Sequence, residues 1–108
     1  DRVLFQTLKS ETDWERKPFL KDYIYLSTVA AKGRVEIKRR WGGIDYLSLG
    51  NEDNDPEVHR LMLNAKLIII EGLKLKDITN GLYDMVCLPL KIQNSDGGPS
   101  RVIVRKKS

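Results

Sequence analysis

Hydrophobic positions recur along this chain with two different periods. Strict alternation in "RVLFQT", residues 2–7, predicts a strand. The polar "KSETDWERKP" after it reads as a loop. Ser27 is a helix N-cap by residue type, and residues 28–40 carry apolar side chains at Val29, Ala30, Val35 and Ile37. That spacing predicts a helix as far as about Val35, weakened by Gly33. "WGGIDYLSL" at 41–49 predicts a short strand whose two glycines permit close backbone approach.

In the second half, Asp55 is placed to cap a helix over 56–64, with Pro56 at the favoured first position. Val58, Leu61, Met62 and Ala65 form its apolar stripe. "KLIIIEGL" at 66–73 is a continuous apolar run of strand length, the pattern of a strand covered on both faces. "KDITNGL" reads as a turn segment. "YDMVCLPLKI" at 83–92 predicts a strand, and its Pro89 suggests an edge or a bulge. "NSDGGPS" is a loop and "RVIVR" at 101–105 a last strand. Several strands and two modest helices make the class α/β. Internal repeats, low-complexity tracts and linkers are lacking.

Composition narrows the picture. A length of 108 residues allows one domain or part of one, and 41% hydrophobic residues suffice for a core. No run reaches the ~18 apolar residues of a membrane span, and no signal peptide is visible. Cys87 is the single cysteine, so a disulfide framework is excluded, and a reducing, cytoplasmic setting is expected. Cys87 itself is expected to be a buried hydrophobe. The chain opens on Asp1 rather than methionine, which raises the expectation of an upstream part. The net charge of +4 includes "KRR" at 38–40 and "RKK" at 105–107, but the acidic "NEDNDPE" at 51–57 offsets them. The second basic cluster is a chain end, of a kind usually solvated, so neither nucleic acid nor a membrane is expected as a partner.

Candidate chemistry centres on His59, the only histidine, and Glu71, twelve residues on. Glu71 ends the apolar run, at the carboxyl end of a predicted strand, where ligands bind in open α/β sheets. A carboxylate there needs a partner, a hydrogen bond or a metal. Histidine and glutamate suit zinc or manganese. On spacing alone, a surface histidine and a salt-bridged glutamate remain the commoner reading, and two ligands are too few for a zinc site. Asp45 and Ser48, after the short strand, either orient groups near this pair or simply form a turn.

Four segments in order resemble the cyclase family of metal-dependent hydrolases, whose best-known members are the bacterial kynurenine formamidases. "GIDYLSL" resembles its Gly-Ile-Asp-x-x-Ser segment. "HRLMLNAKLIIIEGLKL" resembles its His-Arg segment, with the same twelve-residue step to the glutamate. "GLYDMVCLPLKI" and "SDGGPSRVIVR" resemble its last two strands and the turn between them. Residues 2–45 fit more loosely. The resemblance implies a swivelling β/β/α domain, of which residues 1–108 form the C-terminal portion. It implies a site of two divalent ions, zinc or manganese, with His59 and Glu71 as ligands of the second.

The family's His-x-Gly-Thr-His-x-Asp-x-Pro-x-His segment, with the other ligands and the general base, is not among these residues. No catalytic residue is therefore expected in the chain itself. The implied function is part of a metal-dependent amide hydrolase acting on a small-molecule amide such as N-formylkynurenine. A complementary N-terminal half, or a homo-oligomer, is the expected partner. The alternative is a non-catalytic binding or assembly module that keeps the scaffold without the catalytic half.

Overall fold

The computed structural model describes residues 2–37 and 41–108. "KRR" at 38–40 lies outside the described residues. Two compact units are present, Asp1–Lys76 and Asp77–Ser108.

The first unit is built on three parallel strands: β1 (Arg2–Phe5), β2 (Trp41–Ile44) and β3 (Ile68–Ile70), with β2 in the middle. Helices α1 (Thr28–Glu36) and α2 (Asp55–Asn64) make the crossovers, as parallel pairing requires. Pairing of Phe5 with Ile44, and of Gly42 with Ile69, sets one face of the sheet. On that face Phe5, Ile44 and Ile69 meet Ala31 of α1 and Val58 and Met62 of α2, with Leu49 and Leu67 closing the core. The other face carries Leu4, Gly43 and Ile70 in register. A Cβ on Gly43 would lie 2.6 Å from Leu4 and 2.9 Å from Leu73, so the glycine is what lets these leucines close over the sheet centre.

Each helix differs from its sequence reading in an informative way. Ser27 caps α1, accepting from the Ala30 amide at 3.2 Å. The buried positions of α1, however, are Ala31 and half-buried Val35, one turn apart, while Val29 is 80% exposed and Ile37 57%. Small Ala31 is fully buried where α1 meets Val58 and Met62 of α2 in the core. In α2 the stripe holds at Val58 and Met62 but ends before Ala65, which is exposed at the C-cap. Asn54 stands at the N-cap and Asp55 opens the helix. This moves the expected cap by one residue and leaves the Asp55 side chain available elsewhere.

The run 66–73 forms only a three-residue strand, at the sheet edge. Ile70 is buried and Ile69 packs on the core, but Ile68 is 48% exposed. Cover on both faces is thus achieved at the carboxyl end alone, because α2 spans one face and Leu73 folds back over the other. Residues 9–18 are expected as a plain loop, but two short 3-10 turns occur there, Leu8–Glu11 and Trp14–Arg16.

The second unit is an antiparallel hairpin of β4 (Tyr83–Pro89) and β5 (Ser100–Lys106). Pro89 ends β4 opposite Ser100, where a missing amide does least harm. Cys87 is half-buried rather than enclosed, with Sγ 2.9 Å from Ser100 Oγ. The basic "RKK" is partly neutralised: Arg105 and Lys107 each lie 3.2 Å from Asp84. These partners, Lys107 first, hold the Asp84 carboxyl below its ordinary pKa. Among the described residues no helix is long and apolar enough to cross a membrane.

Candidate functional site

The polar residues of the first unit gather where β2 and β3 end. Glu71 follows the last residue of β3, and residues 45–50 form the loop leaving β2. Glu71 Oε1 accepts the Leu49 amide at 2.9 Å and lies 3.2 Å from Ser48 Oγ. His59, one turn into α2, brings Nε2 to 3.2 Å from the same oxygen. The pair that the sequence separates by twelve residues is therefore in contact, with the two side chains 27% and 30% exposed.

On the far side of the ring, His59 Nδ1 lies 3.0 Å from the Asp55 carbonyl oxygen and 3.3 Å from Asp55 Oδ2. Ser48 Oγ donates to Asp55 Oδ1 in a short hydrogen bond. Glu71, His59, Asp55 and Ser48 thus form a closed ring of polar contacts. Asp55 was legible in the sequence only as a cap. Its four-residue spacing from His59, which puts both on one helix face, is the signal that finds it.

Asp45 is brought elsewhere. It is fully buried, and its hydrogen bonds go to the amides and hydroxyls of Thr7 and Ser10, at 2.5 to 3.1 Å. A buried carboxylate must be satisfied in this way. Asp45 fastens the first 3-10 turn to the end of β2 and does not touch the His59–Glu71 pair. Of the two residues read as candidates for orienting the site, Ser48 is beside it and Asp45 supports the loop behind it.

Gly50 and Tyr23 close the loop from below. The Tyr23 hydroxyl donates to the Gly50 carbonyl. Burial first, and the Asp55 carboxylate second, push the Tyr23 phenol above its ordinary pKa.

The Nε2–Oε1 distance is that of a direct hydrogen bond or ion pair, and it is also compatible with two donors of one divalent ion. Donors ~2.1 Å from one ion lie ~3.0 Å apart at an octahedral right angle and ~3.4 Å apart at a tetrahedral one. The 3.2 Å between Nε2 and Oε1 falls inside that interval. Among the described residues no third His, Cys, Asp or Glu joins them as a ligand group.

A parallel sheet with crossover helices, and a polar ring at the carboxyl ends of its strands, is the arrangement of an α/β ligand-binding fold. Comparison with known proteins makes this specific. No family model matches the chain. It is 37% identical over 108 residues to cyclase-like protein 3 of Arabidopsis thaliana, covering 97% of this chain and 40% of that protein. It is 31% identical over 114 residues to the kynurenine formamidase of Sphingopyxis alaskensis, covering 98% of this chain and 50% of that one. A solved structure described as a potential metal-dependent hydrolase with cyclase activity superposes on the whole chain with a TM-score of 0.90 at 35% identity, using 52% of its own length. A second, described as a predicted metal-dependent hydrolase from Bacillus stearothermophilus, superposes on 96% of the chain with a TM-score of 0.87 at 36% identity, using 49% of its own length. Along almost its whole length the chain is homologous to part of proteins named cyclase-like and kynurenine formamidase, and to part of two solved structures described as metal-dependent hydrolases. It spans 40–52% of the length of these relatives.

Proposed function

We propose that this chain is the C-terminal portion of a cyclase-family amide hydrolase and supplies His59 and Glu71 as ligands of one divalent ion in a two-ion site. The observation that carries the reading is the 3.2 Å approach of Nε2 to Oε1 at the carboxyl ends of two strands. Zinc and manganese both suit an imidazole–carboxylate pair. The relatives whose descriptions name metal dependence and kynurenine formamidase support a metal and a small amide, N-formylkynurenine or a related linear or cyclic amide, as substrate.

Bound at the pair, a divalent ion supplies a lowered pKa for water and a polarised amide carbonyl. The chain's own residues fix the donors. The Leu49 amide holds Glu71 Oε1 against the end of β3. Helix α2 holds the imidazole above it. Further ligands and the proton-transferring base come from a complementary N-terminal half. The presence of only two donors among the described residues supports the second reading, a binding or assembly module on the same scaffold.

Metal analysis and turnover of the full-length protein separate the two. His59→Ala and Glu71→Gln are each expected to lose one metal equivalent per site and most of the activity. The loss should come without a folding defect, since alanine is the better helix former and glutamine keeps the shape of glutamate. Full metal content and near-normal turnover in both variants would reject the proposal.

A further inference from the structure

We infer that Asp55 is a positioning residue for His59: with its carboxylate oriented by Ser48, it favours the hydrogen on Nδ1, against the pull of the Glu71 carboxylate 3.2 Å from Nε2 on the other side of the ring. The inference rests on the metal-ligand reading of His59 for its purpose, but not for its geometry.

Nδ1 faces two oxygens of Asp55, the carbonyl at 3.0 Å and Oδ2 at 3.3 Å, and both only accept. A hydrogen on Nδ1 satisfies them. The carbonyl alone does not explain the arrangement. Every helical histidine has such an oxygen four residues back, already engaged by its own amide. The carboxylate is specific to this chain, and Ser48 turns it. The Ser48 hydroxyl donates to Oδ1, which leaves Oδ2 directed at the ring. The carboxylate also lies in the first turn of α2, where the helix dipole favours negative charge. Ser48 Oγ lies 3.2 Å from Glu71 Oε1 as well, and its one hydrogen goes to the nearer Asp55 Oδ1. Carboxylate partners of this kind fix the tautomer and raise the donor strength of a ligating imidazole.

His59 is the only histidine of the chain, so nitrogen-15 correlation spectra of its ring report one residue. They are to be recorded at an alkaline pH at which the ring signals no longer move with pH. The parent chain should show a larger share of the Nδ1–H tautomer than the variants that lack the Asp55 carboxylate. Asp55→Ala should shift the population toward Nε2–H. Asp55→Asn, which keeps shape but not charge, should shift it less, and Ser48→Ala should act in the same direction. Amide spectra identify any variant that fails to fold, and the isosteric Asp55→Asn keeps the comparison if Asp55→Ala does. Zinc titrated into the same samples gives a second readout. The concentration that half-shifts the His59 signals should rise about 10–100-fold in Asp55→Asn. It should stay put in Glu57→Gln, whose carboxylate serves Lys32 and Thr28 on the same helix.

An unchanged tautomer in Asp55→Ala and Asp55→Asn overturns the inference. So does equal zinc response in Asp55→Asn and a responsive parent. A parent that ignores zinc while its tautomer still depends on Asp55 counts against the proposed function and supports the positioning.

Discussion

Two carboxylates show how residue type underdetermines role. Asp45 and Glu71 both follow a strand of the parallel sheet, and both were open to reading as site groups. The folded chain buries Asp45 completely and surrounds it with four donors from Thr7 and Ser10, whereas Glu71 stays part-exposed at the rim beside His59. Asp45→Ala leaves buried donors without an acceptor, each costing about 1–3 kcal/mol. It should therefore lower the unfolding free energy by at least ~2 kcal/mol, measured by urea denaturation. The His59–Glu71 ring geometry should be retained in any fraction that folds. A change below ~0.5 kcal/mol, the range of ordinary surface substitutions, would mean that the Thr7–Ser10 turn is held by other contacts. The twelve-residue spacing of His59 and Glu71 was legible from the chain. The fourth member of the ring was not, because Asp55 also fits the role of a cap, and a local pattern cannot tell whether a side chain turns back to the backbone or outward to Ser48.

At the scale of elements, the entry to α2 is set by a glycine. A Cβ on Gly50 would lie 2.6 Å from the Asp55 Cα, a backbone atom that cannot swing aside. Gly50→Ala should push the first turn of α2 away from the β2 loop. A melting temperature several degrees lower is expected, as for roughly 1–3 kcal/mol of overpacking strain in a domain of this size. The His59 ring signals should shift with it. Unchanged melting and unchanged signals would mean that the loop relaxes freely. The hairpin makes a separate prediction through Asp84, whose pKa is lowered by Lys107 and Arg105. A carboxylate depressed in the folded state contributes its stability above the unfolded value and loses it as pH falls through the folded one. Protection of the β4–β5 amides should therefore fall as the solution is acidified below the ordinary aspartate range, and Asp84→Asn should remove that dependence. The strands of the hairpin were readable because alternation and the "NSDGGPS" turn signals are local. The buried side of α1 was not, since Val29 and Ile37 look as apolar as Ala31 and Val35 until α2 is laid against them.

On the scale of the whole molecule, the proposed two-ion site needs more donors than the His59–Glu71 pair would supply. The 108-residue protein by itself should release no formate from N-formylkynurenine. Turnover that scales with protein and disappears with a chelator would contradict this. What the sequence determined is the material of local order. Hydrophobic period, the Ser27 cap, proline at the start of α2 and the paired glycines sufficed for an α/β class and for strand and helix positions within a few residues, because propensity and periodicity act over one or two turns of chain. Order along the chain also preserved the spacing that marks His59 and Glu71. What only the tertiary structure decided is which groups meet. Parallel pairing brings the ends of β2 and β3 side by side, and the packing of α2 across them lowers His59 onto Glu71 and Asp55 onto Ser48. The same packing sends Asp45 into the interior. These outcomes depend on contacts between residues 7 to 38 positions apart, and no local pattern carries that distance.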